Sequence, residues 1–148
     1  MVEFTGRSNT CTVTNIFECP CLFATKNVHN RQLYYGLMET WMQKVSEVVN
    51  REEFHNLQDF TINAQPFLTK VVFPTTQYNI TDYKYLSMDC FHISQKGHAR
   101  ITNGLWNNML EPVGQKSLNW KKEFQELKCP TQQRPYLATR FNSFVNYK

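Results

Sequence analysis

The chain has 148 residues, 41% hydrophobic and 14% aromatic, and a net charge of +4 from 16 Lys and Arg against 12 Asp and Glu. This length suits one domain, and the aromatic content excludes a disordered, low-complexity polymer. Basic residues are scattered and do not interleave with aromatics, which excludes a recognisable nucleic-acid module, and no run approaches the roughly 20 apolar residues of a membrane span.

The start, Met1-Val2-Glu3-Phe4-Thr5-Gly6-Arg7, is polar and carries no apolar signal segment. The pattern at Thr12–Phe17 admits a short strand, and Cys19-Pro20-Cys21 reads as a constrained loop. Asn27 or Asn30 is placed to cap the next element. Residues 31–50 then give the strongest helix signal. Leu33, Leu37, Trp41, Val45 and Val48 recur at helical spacing, Tyr34 and Met38 widen the stripe, and Glu39, Gln43 and Glu47 fall on a polar side. The spacing predicts a core helix; a stripe containing Trp41 also suits a lipid site, with ordinary packing the first expectation.

Phe60, Ile62 and Ala64 alternate with Thr61, Asn63 and Gln65, a strand pattern stopped by Pro66. Leu68–Phe73 is a second apolar run, stopped by Pro74, and Asn79–Tyr85 reads as a loop. Helix resumes over Gln95–Leu110, with Ile101, Leu105 and Met109 four apart, Ser94 as N-cap, and Pro112 and Gly114 as terminators. Pro130 and Pro135 mark an irregular tail, in which seven Lys or Arg stand against three Glu from Glu111 onward, the pair Lys121-Lys122 included. This order suits an α/β layer protein, although clear strands are too few for a complete doubly wound sheet.

Five cysteines stand at 11, 19, 21, 90 and 129. Cys19-Pro20-Cys21 is not a redox CxxC, and no second close pair completes a four-ligand zinc site. Disulfides in an oxidising compartment fit better. Two bridges among five cysteines allow fifteen arrangements, five choices of the odd thiol times three connectivities of the rest. Asn79-Ile80-Thr81 is an N-glycosylation sequon. The odd cysteine and the outward-pointing features without a leader give the expectation that sequence precedes Met1.

Asp89-Cys90-Phe91-His92 is the candidate site. Histidine suits general-base work because its free pKa is about 6.5. It needs an acid to fix its tautomer and balance its cation. Three-residue spacing lets one turn bring Asp89 and His92 together, as two members of a serine-hydrolase triad. The plainer alternatives are a structural histidine with a turn aspartate, and an Asp89/His98 metal pair that lacks a third ligand. His98 is expected on a helix face, and His29 and His55 at the surface.

Leu86-Ser87-Met88-Asp89-Cys90-Phe91-His92, continuing through Ser94 and Gly97-His98, closely resembles the membrane-associated phospholipase B family of the GDSL/SGNH lipase superfamily. The resemblance runs on into Leu105-Trp106-Asn107-Asn108-Met109-Leu110-Glu111-Pro112-Val113-Gly114, and recurs at Cys129-Pro130, Pro135-Tyr136-Leu137-Ala138-Thr139 and Asn142-Ser143. Upstream, Cys19-Pro20-Cys21 and Gln65-Pro66-Phe67 also look like this family. The resemblance implies a partial three-layer α/β/α, flavodoxin-like SGNH-hydrolase fold, with residues 1–148 as its C-terminal portion. It further implies phospholipase and lysophospholipase ester hydrolysis with Asp89 as triad acid and His92 as general base. No cofactor is implied. The implied partners are a phospholipid or lysophospholipid ester and a membrane surface, with an upstream half-domain or self-association in addition, and the implied location is extracellular or at the cell surface. Phe91, Trp41 and Trp106 are candidates to line an apolar side, although core packing is the first role expected of either tryptophan.

The family's Gly-Asp-Ser nucleophile segment has no counterpart here. Asn9, Asn15 and Asn63 carry no oxyanion motif, Ser87 and Ser94 are too close to His92 in sequence, and Ser8, Ser46, Ser117 and Ser143 have no nucleophile elbow. One lost oxyanion donor costs about 10²–10³-fold in rate, so the isolated chain is expected to be inactive. Two readings follow: the C-terminal segment of a phospholipase B-like hydrolase, or a non-catalytic truncated homologue that binds lipid or protein.

Overall fold

The structure is a computed structural model, and it describes residues 9–120 and 126–144. The expectations on Met1–Arg7, Ser8 and Lys121-Lys122 lie outside the described residues. In chain order the elements are α1 (Asn9–Glu18), α2 (Pro20–Phe23), a 3-10 stretch (Thr25–Asn30), α3 (Arg31–Val49), three further 3-10 turns (Glu52–Phe54, Pro66–Leu68 and Tyr83–Tyr85), and α4 (Gln95–Leu110). Two antiparallel bridges, Thr75 with Thr81 and Leu86 with Ile93, stand alone. No sheet forms among the described residues.

This overturns the expected three-layer α/β/α SGNH fold. The physical reason is pairing: a strand is stable only when its N–H and C=O groups meet a neighbour. Phe60–Gln65 is unpaired coil leading into the Pro66–Leu68 turn. Val71 and Phe73 are buried around exposed Val72, the period of a strand, but the segment carries only a single bridge residue, Val72, and no extended strand. Thr12–Phe17, expected as a strand, belongs to α1. Cys11 and Asn15, one helical turn apart, are buried while Val13 and Phe17 are exposed, so its inward face follows helical spacing.

The chain divides into two compact units, residues 1–42 with 72–99, and residues 43–71 with 100–148. In the first, Cys11, Phe73, Tyr85 and Leu86 are buried. Arg31 ties the start of α3 to α2, donating from Nε to the Leu22 carbonyl at 2.8 Å and from Nη2 to that of Phe23 at 3.0 Å. Asn27 makes no cap for α3; its amide donates to the Pro20 carbonyl at 2.9 Å.

α3 forms where helical spacing predicts it, but it is not a core helix. It has no buried residue. Leu33, Leu37, Trp41, Val45 and Val48 are 62, 57, 74, 50 and 40% exposed. Periodicity identifies which residues share a face; it says nothing about whether anything covers that face.

In the second unit Phe67, Val71 and Trp120 are buried, together with Arg100, Asn107, Asn108, Glu111 and Ser143. α4 therefore turns a polar side inward at Arg100, Asn107 and Asn108, continued by Glu111 just past its end, while Leu105 and Trp106 remain more than a third exposed. Buried polar groups demand partners, and most of these are met, the Asn108 Oδ1 being the exception in this set. Arg100 donates twice to the Trp120 carbonyl, at 3.1 and 2.8 Å. Asn107 donates to the Glu126 carbonyl and accepts from the Lys128 N–H, both at 2.8 Å. Glu111 accepts from Asn108 Nδ2, Ser117 N, Ser117 Oγ and Lys128 Nζ, at 2.6–2.9 Å. Burial pushes the Glu111 carboxyl up; the bonds from Lys128 and Ser117 outweigh it and hold the group below the usual carboxylate value. These bonds tie the irregular tail to α4, helped by the Ala138 N–H on the Met109 carbonyl at 2.9 Å.

Candidate functional site

Asp89 and His92 sit in a tight loop whose ends are joined by the Leu86–Ile93 bridge. Inside it, the Ser87 N–H donates to the His92 carbonyl at 2.8 Å and the Cys90 N–H to the Ser87 carbonyl at 3.0 Å. Cys90 takes a left-handed φ of 58°, a conformation that costs free energy for a residue with a Cβ. Its sulfur is bonded to Cys11 of α1, with the Cα atoms 5.4 Å apart. The disulfide and the internal hydrogen bonds together over-determine the loop.

Within that frame one carboxylate oxygen of Asp89, Oδ1, accepts from the N–H groups of Phe91 at 3.0 Å and His92 at 2.9 Å. The other, Oδ2, is 2.6 Å from His92 Nδ1. The imidazole bond, then the Phe91 amide, hold the Asp89 carboxyl down at about 2. The acid is therefore ionised throughout the neutral range. His92 is 73% exposed on its side chain against 29% for Asp89. The Phe91 ring meets the imidazole edge-on, centroids 5.1 Å apart. The structure brings the two sequence-predicted residues into the acid–imidazole geometry that fixes a histidine tautomer.

It does not bring them a nucleophile. Ser94 Oγ donates to the Lys84 carbonyl at 2.6 Å and accepts from the Gly97 N–H at 3.2 Å, the expected helix cap. Ser117 Oγ is held by Glu111, and Ser143 Oγ by the Thr139 carbonyl and the Val113 N–H. Among the described residues no hydroxyl hydrogen-bonds to His92 Nε2. A groove of about 740 Å³ is lined by His55, Leu57, Phe60, Thr139, Phe141 and Asn142; neither Asp89 nor His92 lines it. His98 and His29 are exposed, whereas His55 is half-buried with Nε2 2.9 Å from the Val49 carbonyl. Among the described residues no three His, Cys, Asp or Glu side chains gather as a metal shell.

The apolar residues expected to line a lipid side do other things. Trp41 is 74% exposed on α3, and Phe91 is 62% exposed beside His92. Trp106 donates from its indole to the Lys128 carbonyl at 2.8 Å, a contact that pins the tail. Sequence reasoning missed the inward polar face of α4, whose only signal was the density of Asn and Glu through Asn107–Glu111.

Fold and site together define a disulfide-linked, helix-and-turn protein with an oriented acid–imidazole pair and, among the described residues, no hydroxyl bonded to that imidazole. Compared with known proteins, the chain is similar to membrane-associated phospholipase B1. It is 35% identical over 131 residues to the Homo sapiens protein, 35% over 130 to that of Rattus norvegicus and 36% over 128 to that of Mus musculus. These matches cover 85–87% of this chain but only 9% of each relative. No family model matches, and no solved structure matches.

This similarity is partial, and with a sheetless structure it corrects the sequence-based assignment. The chain is not placed in the GDSL/SGNH superfamily, and the hydrolase, phospholipase and lysophospholipase readings do not hold. The disulfide does. Among the described residues, no helix is long and apolar enough to cross a membrane.

Proposed function

We propose that this chain is a non-catalytic protein-binding module, related in sequence to phospholipase B1, that docks an apolar polypeptide surface along α3. The observation that carries this reading is the exposed stripe of Leu33, Leu37, Trp41, Val45 and Val48 on a helix with no buried residue. Contiguous exposed apolar surface marks an interaction site. Helices that lie in a membrane surface are rich in Lys and Arg on their polar face. α3 instead balances Arg31 and Lys44 against Glu39 and Glu47, and pairs Lys44 with Glu47 at 2.7 Å. That charge balance favours a polypeptide over an anionic lipid surface.

The occupant is the polypeptide that flanks the matched segment in phospholipase B1, where that segment is 9% of the protein. In this reading Asp89 and His92 order their loop rather than perform chemistry. The Cys11–Cys90 disulfide supports an extracellular or cell-surface setting, where such bonds persist.

The test is co-expression of this chain with the flanking human phospholipase B1 segment, followed by co-purification. Capture that is lost in Leu37→Asp/Trp41→Asp, and retained in His92→Ala, supports the proposal. Absence of capture, or capture indifferent to the α3 changes, overturns it. So does α3-dependent sedimentation with phosphatidylserine vesicles in place of capture, which is the lipid-binding outcome.

A further inference from the structure

We propose that Cys19 and Cys21 form a thiol–disulfide exchange site, a dithiol that closes to an intramolecular disulfide on reaction with a small disulfide oxidant of the glutathione type. The two sulfurs are 3.5 Å apart and share a hydrogen bond. Both are free thiols, Cys21 exposed and Cys19 partly so.

The C-x-C spacing alone does not suggest this. Residues two apart on a helix do not face each other. Here Cys19 lies just outside α2, with φ −133° and ψ 66°, and Pro20 opens the helix. That non-helical backbone swings the Cys19 side chain round to the Cys21 sulfur. The turn is held from several sides. The Cys19 N–H donates to the Asn15 carbonyl at 2.9 Å, and the Cys19 carbonyl accepts from Leu22 and Phe23 at 3.1 and 3.0 Å. Asn27 holds the Pro20 carbonyl, and Arg31 holds those of Leu22 and Phe23. The sulfurs are thus presented on an ordered turn, and closure needs them to move from 3.5 Å to about 2.0 Å, chiefly by side-chain rotation.

The order of attack follows from exposure. Cys21, the exposed thiol, loses its proton to solvent, and its thiolate attacks one sulfur of the oxidant. A Cys21–SR bond forms, the oxidant's S–S bond breaks, and one RS⁻ leaves and takes up a proton. The hydrogen bond to Cys21, and then burial, push the Cys19 thiol up. Once Cys21 is in the mixed disulfide, Cys19 gives up its proton to solvent. The Cys19 thiolate then attacks Cys21 Sγ and expels the second RS⁻. Two protein thiols are oxidised, and one RSSR is reduced to two RSH.

The experiment treats the intact chain with oxidised glutathione, alkylates the remaining thiols and maps disulfides by peptide mass spectrometry. The expected result is a fall in free thiols from three to one, with Cys129 the thiol that stays alkylatable, a Cys19–Cys21 link, and Cys11–Cys90 unchanged. Cys19→Ser is expected to trap a stable glutathione adduct on Cys21, because the resolving thiol is gone. A link from either residue to Cys129, a glutathione adduct that persists on Cys21 of the unsubstituted chain, or three thiols still alkylatable with no link would each overturn the proposal. Circular dichroism on Cys19→Ser checks that the trapped species is folded.

Discussion

Glu111 and Lys128 are 17 residues apart in sequence and meet at 2.6 Å between Oε1 and Nζ. Glu111 also receives the Ser117 backbone and hydroxyl and the Asn108 amide. One carboxylate thus gathers the end of α4, the turn after it and the tail. Its side chain is 11% exposed against 35% for Lys128, so the lysine recovers hydration if the pair breaks while the other donors are stranded.

Replacement of Glu111 by Ala is therefore expected to destabilise the chain by about 2–3 kcal/mol, the cost of orphaning several mostly buried donors. Urea denaturation measures this. The pH dependence has a definite sign. The folded carboxyl sits below its ordinary 4.5, so its contribution is complete above that value and is lost as pH falls through the lowered one. In Glu111→Gln the acid limb of the stability curve should flatten; an unchanged limb would show that the carboxylate charge contributes nothing.

Asp89 supplies a second acid-sensitive contact. Its folded value of about 2 against an ordinary 3.8 means that its bonds persist down through pH 4 and loosen as pH approaches 2. Hydrogen exchange at the Phe91 and His92 amides, both held by Oδ1, is the readout. Asp89→Ala should deprotect both amides at neutral pH. Asp89→Asn should keep them protected, since its amide oxygen still accepts, and should release the imidazole.

Gly97 opposes two effects of known size. In an exposed helix interior Gly→Ala gains about 1 kcal/mol of helix propensity. Here a Cβ would strike the Tyr85 carbonyl oxygen and Ile93 Cγ2. Backbone cannot move aside as a flexible side chain does, and overpacking typically costs about 1–3 kcal/mol. Gly97→Ala is expected to lower the thermal midpoint, whereas a rise would show that α4 does not lie against the Tyr83–Tyr85 turn.

The Cys11–Cys90 bridge closes a loop of sequence separation 79. A chain-entropy treatment gives about 4.5 kcal/mol for a loop of that length. Cys11→Ala/Cys90→Ala should therefore bring the chain near its unfolding threshold at 37 °C. It should also deprotect the Phe91 and His92 amides, because Cys90 then has no tether to hold its left-handed backbone.

Local interactions were legible in the chain itself. The Gln95–Leu110 helix, its Ser94 cap, the α3 stripe and the Asp89–His92 turn each depend on residues within a few positions of one another, where spacing and capping chemistry act. The structure reproduces those contacts. Non-local outcomes were not legible. A β-run such as Phe60–Gln65 looks the same whether or not a neighbour exists to pair with it, and only the folded chain shows that none does.

For the same reason helical spacing predicts the apolar face of α3 as core when it is exposed, and gives no sign that the polar side of α4 is buried. The sequence by itself determined which residues share a face, which turn pairs Asp89 with His92, and that no Gly-Asp-Ser block accompanies them. Only the tertiary structure decided what each face meets, which cysteines join, and how the second carboxylate, Glu111, is employed. Burial and long-range pairing depend on groups far apart in the chain, and their free energy is recorded in no local pattern.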